Sequence, residues 1–317
     1  MDISIVIPLL NEAESLPELV SWIDRIMKQH KYSYELILVD DGSSDNSWDV
    51  IMELKKNYSS LRGIKFRRNF GKSAALHTGF QAVRGEVVIT MDADLQDSPE
   101  EIPDFFKMIT HDGFDLVSGW KKKRHDPVLR KNMPSKFYNW MVRLMSGIKL
   151  HDFNCGIKAY RKRVVKCIEI YGEMHRFIPV LAKWAGFNKI GEKVVQHQER
   201  KYGNTKFGME RFMRGPLDLL SVMFITNYGK RPMHLFGTLG TLTFIFGFAM
   251  AAILGAKKLI AVKHNTLAPL VTSSPYFYIG LTCMVIGTLL FLAGFLGELI
   301  SRSSAERNHY LIEEEFN

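Results

Sequence analysis

The stretch Asp92-Ala93-Asp94-Leu95-Gln96 follows directly on the apolar run Val87-Val88-Ile89-Thr90-Met91. A strand that ends there presents two carboxylates and an amide. Residues two apart in extended chain share a face, so Asp92, Asp94 and Gln96 are expected to point the same way. Three oxygen-bearing side chains on one side can seat a hard divalent cation. Mg²⁺ is usually held by one or two carboxylates, with substrate phosphates and water in the remaining positions, so the chemistry indicated is that of a metal–diphosphate site. The same residues also make an ordinary acidic strand-to-helix turn, with Ser98 capping a helix that opens at Pro99-Glu100-Glu101. A second acidic group, Asp40-Asp41-Gly42-Ser43-Ser44-Asp45, follows another apolar run and has the composition of a common turn.

The elements that must position these groups alternate along the amino-terminal half. Strands are expected at Ile3 to Pro8, Glu35 to Val39, Gly63 to Arg67, Glu86 to Met91 and Asp115 to Ser118. Helices are expected at Glu14 to Gln29, Asn46 to Asn57, Ser73 to Val83 and Glu100 to Ile109. Such alternation implies βαβ units and an α/β fold with a mostly parallel, Rossmann-like sheet. Sheets of that kind bind ligands at the carboxyl ends of their strands, where both acidic groups fall. Further on, Cys155 to Tyr160 and Val194 to Gln198 read as strands, and Tyr138 to Met145 and Phe177 to Ala185 as helices. Phe207 to Tyr228 has apolar residues at helical spacing, interrupted by Gly215-Pro216, and reads as amphipathic helix lying along a membrane interface or packing on a core.

His234 to Gly255 and Pro275 to Gly297 contain no Asp, Glu, Lys or Arg. Each is about as long as a helix crossing a hydrocarbon core of roughly 30 Å, so two membrane spans are expected. Gly237, Gly240, Gly247, Gly280, Gly287 and Gly294 would let them pack closely as a hairpin. Met1 leads at once into the first strand, so no signal peptide is expected. An even number of spans puts both flanks on one side. The flanks carry Arg211, Arg214, Lys230, Arg231, Arg302 and Arg307 against Lys257, Lys258 and Lys263 in the connection, which favours a cytoplasmic catalytic part. Cys155, Cys167 and Cys283 are few and scattered, as reduced structural thiols are. The net charge of +9 concentrates in Lys121-Lys122-Lys123-Arg124, Arg130-Lys131, Lys136 and Arg143, and again from Arg200 to Arg214. These residues fit anionic lipid surfaces or a specific phosphate site. No nucleic-acid-binding module or aromatic stacking pattern accompanies them.

Four segments combine into a recognisable order: Pro8-Leu9-Leu10-Asn11-Glu12, the Asp40 group, the Asp92 group, and Arg200-Lys201-Tyr202-Gly203-Asn204-Thr205-Lys206. Together they resemble the GT-A glycosyltransferases of family 2, and within them the polyprenyl-phosphate sugar transferases of the dolichol-phosphate mannose synthase and bacterial undecaprenyl-phosphate glucosyltransferase type. The resemblance covers roughly residues 3 to 230. It implies that Pro8, Asn11 and Glu12 line a nucleoside pocket, with Asp41 on the base or ribose and Asp40 beside it. Arg68, Gly71 and Lys72 stand where relatives carry a similar stretch near the donor. Asp92, Asp94 and Gln96 match the family's metal and donor-diphosphate motif, for Mg²⁺ or Mn²⁺. Asp152, in His151-Asp152-Phe153-Asn154-Cys155-Gly156, falls where the family has an Asp that acts as base or positions the acceptor; a structural cap is the other reading. Arg124, Arg130, Lys131, Ser135, Arg200 and Lys206 are candidates for gripping acceptor phosphate or donor diphosphate. Thr205 replaces the family's usual Ser and keeps the hydroxyl.

The function so implied is inverting transfer of a single hexose from a nucleotide-sugar donor, a UDP-sugar in preference to GDP-mannose, to undecaprenyl or another polyprenyl phosphate at the cytoplasmic face of a bacterial plasma membrane. The organisation expected is a catalytic domain over 1–206, interfacial helices over 207–232, two spans over 233–300 and a tail over 301–317, with homo-oligomers conceivable. Two other readings are a processive polysaccharide synthase, though the Gln-x-x-Arg-Trp motif is missing here, and a non-catalytic nucleotide-binding scaffold.

Overall fold

The computed structural model describes residues 1–122, 139–198, 231–264 and 270–303, with Lys201, Phe224, Tyr228 and Thr266. The chain divides into two compact units, Met1–Leu219 and Leu220–Asn317.

The first unit is built on a seven-stranded sheet. Its strands are β1 (Ile3–Leu9), β2 (Tyr34–Asp40), β3 (Leu61–Lys65), β4 (Val87–Thr90), β5 (Leu116–Trp120), β6 (Lys158–Arg161) and β7 (Ile190–Val194), in the order β3-β2-β1-β4-β6-β5-β7. The pairs β1·β2, β1·β4, β2·β3 and β5·β7 are parallel, whereas β6 runs antiparallel to β4 and to β5. The first strands are buried on both faces and so read as continuous apolar runs. Helix α1 (Leu16–Gln29) takes Pro17 in its first turn, where a missing N–H costs nothing, and buries Leu16, Leu19, Val20, Ile23, Ile26 and Met27 along one face. Helices α2 (Ser47–Asn57), α3 (Lys72–Ala82) and α4 (Ile102–Thr110) complete the βα units. Then come α5 over 139–146, α6 (Lys162–Cys167) and α7 (Ile178–Trp184). One core joins β1, β2, β4 and their flanking helices, with Ile5, Leu38, Ile89, Phe105 and Ile157 inside it.

Several boundaries differ from expectation. The last strand is Ile190–Val194, not 194–198: β7 pairs with β5 through Glu192, and the chain leaves the ladder at Val195 to cross the site. Helix α6 was not expected, since only six residues fit between β6 and the turn at Ile168. Interfacial helices over 207–232 and the tail lie largely outside the described residues.

In the second unit Pro232–Lys263 and Pro275–Ser303 are helices. They are long and apolar enough to cross a membrane, with mean hydropathies of 2.0 and 2.3 over an 18-residue stretch of each, and they form a hairpin. Glycines let the backbones meet: a Cβ built on Gly240 would lie 2.6 Å from the Gly287 carbonyl oxygen. Close approach of this kind drives helix association where lipid removes the hydrophobic incentive.

Candidate active site

The carboxyl ends of β1, β2, β4 and β5 lie along one edge of the sheet, and the loops leaving them carry the predicted residues. Between β1 and β2 the loops are knitted by side chains. Asn11, held at φ 52°, accepts a hydrogen bond on Oδ1 from Ser44 N at 2.8 Å, and its own N donates to Ser43 Oγ at 2.9 Å. Glu12 N donates to Ser47 Oγ. Pro8 lies in β1 opposite Val39. Asp40 accepts Ser43 N at 2.9 Å, while its buried Oδ2 has no hydrogen-bond partner among the described residues.

Asp41 organises a neighbouring loop. Its carboxylate accepts Phe70 N at 2.7 Å and Gly71 N at 3.0 Å, which fixes the turn into α3. Burial raises its pKa; the two backbone donors oppose that and Asp40 adds to it. The loop leaves Phe70 exposed with the Arg68 guanidinium 4.6 Å above its ring. At the start of α3, Lys72 pairs with Asp92. Ser73, the next residue, bonds both N and Nδ1 of His175 at 3.0 Å.

The Asp92 group is not the extended segment expected. Strand β4 stops at Thr90, and Leu95 takes φ 60°. That left-handed value is costly for a bulky residue. The alternation that would align Asp92, Asp94 and Gln96 is therefore broken by a tight bend. Asp94 Oδ1 accepts the Gln96 N–H at 3.2 Å, and Ser98 caps the 3₁₀ turn Pro99–Glu101 through Glu100 N. Turn chemistry and an acidic site thus occupy the same residues.

Around Asp92 is a buried charge cluster of which sequence reasoning found only part. Although 31% of its side-chain surface is open, desolvation alone would raise the Asp92 pKa. Lys72, Lys121 and Lys158 outweigh this and hold it at about 2. Lys121, at the end of β5, lies 2.8 Å from the fully buried Asp97. Desolvation opposes its charge, but Asp97, with help from Asp92, keeps its pKa above the ordinary lysine range. Lys158 opens β6 and faces Thr90 in register. Its ammonium donates to the Cys155 carbonyl, and burial pushes its pKa down. Only the reversed direction of β6 brings Lys158 to the carboxyl edge. One lysine amid the apolar residues Ile157, Ala159 and Tyr160 was the available signal.

Gly156 joins this cluster to the loop carrying Asp152. A Cβ there would lie 2.5 Å from Asp92 Oδ2 and 2.7 Å from Asp97 Oδ2, so any side chain at this position would displace the carboxylates. Asp152 is 1% exposed, and its Oδ1 accepts Asn154 N at 3.0 Å. The loop is also gripped by Ser118, Asn139 and Glu192.

After β7, the chain runs back against the Asp92 group. Gln198 N donates to the Gln96 carbonyl at 3.0 Å, and His197 bridges Asp97. Glu101 fastens this arm, accepting Gln196 N at 3.1 Å and pairing with Lys193. Arg200 and Lys206 would follow from here. They, with Arg124, Arg130, Lys131 and Ser135, lie outside the described residues.

The donor set suits a hard cation. Asp92 and Asp94 offer carboxylate oxygens, and Gln96, two residues further along the chain, an amide oxygen. No group of three His, Cys, Asp or Glu among the described residues could hold a metal by itself. A cation here would therefore take the rest of its ligands from diphosphate and water, as Mg²⁺ and Mn²⁺ sites commonly do.

Comparison with known proteins accords with this architecture. Residues 4–169 match the family described as Glycosyl transferase family 2. The chain is 35% identical over 305 residues to dodecaprenyl-phosphate galacturonate synthase of Rhizobium johnstonii, covering 96% of this chain and 88% of that protein. It is 34% identical over 301 residues to undecaprenyl-phosphate 4-deoxy-4-formamido-L-arabinose transferase of Yersinia pestis, covering 95% and 88%. Among solved structures, glucosyl-3-phosphoglycerate synthase from Mycobacterium tuberculosis in complex with Mn²⁺ and UDP-glucose shares the fold at TM-score 0.53 and 19% identity, over 71% of this chain and 78% of that one. Mannosyl-3-phosphoglycerate synthase from Rubrobacter xylanophilus does so at TM-score 0.58 and 13% identity, over 71% and 74%. A GT-A sheet, an acidic group at its β4 edge and two relatives matched along nearly the whole chain make this protein a member of glycosyltransferase family 2.

Proposed function

We propose that the protein transfers one sugar, a hexose or hexuronic acid from a UDP-sugar, to polyprenyl phosphate at the cytoplasmic face of a bacterial plasma membrane. The observation that carries this reading is Gly156, where the Asp92 group and the Asp152 loop meet at one point of the sheet edge. Donor and acceptor machinery placed together is what a direct displacement needs. The relatives' names supply the acceptor class, and the two apolar helices suit an enzyme whose acceptor is a lipid.

In this reading Pro8, Asn11, Glu12, Asp40 and Asp41 shape the nucleoside pocket, with Asp41 acting through the loop at Phe70 and Gly71. Lys72 and Asp92 face the diphosphate. Asp92, Asp94 and Gln96 would hold Mg²⁺ or Mn²⁺, which when bound supplies neutralisation of the charge growing on the leaving nucleotide. An anionic phosphate oxygen of the lipid attacks the anomeric carbon and inverts it. The bond from that carbon to the diphosphate breaks, and its electron pair leaves with the nucleoside diphosphate. The nucleophile is already ionised near pH 7, so Asp152 has orientation as its main task. Arg124, Arg130, Lys131, Ser135, Arg200 and Lys206 grip the phosphates. A UDP donor is preferred to GDP-mannose.

The test is transfer of radiolabelled sugar to undecaprenyl phosphate in detergent, across UDP- and GDP-sugars that include UDP-galacturonate, with Mg²⁺ or Mn²⁺ and an EDTA control. A lipid-extractable product that EDTA abolishes is expected. Failure of every donor in the panel, with nucleotide binding intact, refutes the reading.

A further inference from the structure

Beside the charged cluster stands a clamp that no part of the proposed reaction uses. Glu192, in the middle of β7, is opposite Ser118 of β5, and its side chain is only 12% exposed. Its Oε1 accepts the backbone N–H of His151 at 2.7 Å and that of Asp152 at 3.1 Å. Its Oε2 meets His151 Nδ1 at 2.7 Å. The His151 ring is stacked on Trp120 at 4.1 Å between centroids, with 13° between the planes. One carboxylate thus takes two successive backbone donors and the side chain between them, while an aromatic face fixes the ring.

Other contacts fix the same loop from different elements. Ser118 Oγ donates to the Asp152 carbonyl at 3.3 Å, and Asn139 Nδ2 donates to the His151 carbonyl at 3.0 Å. Glu192 differs from these in two respects: its oxygens bind the peptide N–H of Asp152 itself, and as a carboxylate it makes charge-assisted hydrogen bonds, about twice as strong as neutral ones. A mostly buried carboxylate that serves to hold one loop is costly unless the loop's position matters.

We infer that Glu192 is a positioning residue of the transfer reaction: by accepting the His151 and Asp152 N–H groups it sets where the Asp152 carboxylate meets the acceptor. The inference rests on the reading of Asp152 as an acceptor-side residue. Glu192 does not touch substrate, and its removal acts on turnover without acting on the donor.

The experiment is a double-mutant cycle on the full chain in detergent, with kcat measured under saturating polyprenyl phosphate and KM measured for each substrate. Glu192→Ala is expected to lower kcat roughly 10- to 100-fold, the scale for a displaced reacting group, with donor KM and nucleotide affinity unchanged. Glu192→Gln keeps an oxygen for both backbone donors and should recover most of the rate. Glu192→Asp draws the oxygens back by one methylene and should be slow; it carries the test if the alanine variant does not fold. Asp152→Asn and Glu192→Ala combined should be no slower than the slower single variant. Multiplying losses, a donor KM that rises with the fall in kcat, or a silent Asp152→Asn would overturn the inference while wild-type product still upholds the transferase reading. Absence of product from the wild type overturns both.

Discussion

Replacing Gly156 by alanine tests whether the meeting of Asp92, Asp97 and the Asp152 loop matters to chemistry. Gly156 has no left-handed φ, so the effect is one of space. The added methyl would stand 2.5 Å from Asp92 Oδ2 and 2.6 Å from its Cγ, so restoring an ordinary contact of 3.4 Å moves that carboxylate by about 0.9 Å. Asp97 Oδ2, at 2.7 Å, closes the other way out. Displacement of a reacting group by about 1 Å costs on the order of 100-fold in rate, which is about 2.7 kcal/mol of barrier. Crowding the buried cluster should cost about 1–3 kcal/mol of stability as well. Initial rates of sugar transfer at saturating donor, with melting curves of the same samples, separate the two. Gly255→Ala, where nothing lies within 4 Å of the new carbon, serves as control. If Gly156→Ala turned over at the wild-type rate with unchanged donor KM, the argument that Asp92 must sit where it does would be wrong.

Other expectations follow from the same geometry. Lys72→Met removes a cation that opposes the desolvation of Asp92, whose depressed pKa contributes stability above the unfolded value near 4, lost as pH falls through about 2. The deficit in melting temperature against wild type should therefore be larger at pH 7 than at pH 3, and an equal deficit at both would count against it. Asp41→Asn should weaken nucleotide binding about 10-fold by loosening the turn at Phe70 and Gly71, and calorimetry showing wild-type affinity would sink that account. Gly240→Val should push the two long helices apart and lower the melting temperature in detergent, while nucleotide binding stays intact; an unchanged melting curve would refute the packing argument. A chain ending before Met233 should be more soluble and still bind nucleotide, and full retention on membranes would place the anchor upstream of the helices.

The sequence by itself determined the βα alternation, the edge of the sheet at which Asp40, Asp41, Asp92 and Asp94 collect, and the two apolar helices. Those features are local: apolar runs, turn residues and charge-free lengths are each written in a few tens of residues. Tertiary structure decided the rest. The turn into the Ser98 cap was legible in the sequence as the second reading of the Asp92 group, but the left-handed bend at Leu95 that breaks its extended alignment was not. Lys158, Lys121 and Asp97 surround Asp92 only because β6 runs against its neighbours and β5 ends beside it. Strand direction depends on which partners a strand finds far along the chain. Glu192 reaches the Asp152 loop for the same reason: β7 lies next to β5, forty residues from the backbone groups it holds. Burying charge is tolerable only where opposite charge or backbone donors meet it. Where those partners come from separate strands, their pairing is settled by packing and becomes visible only in the folded chain.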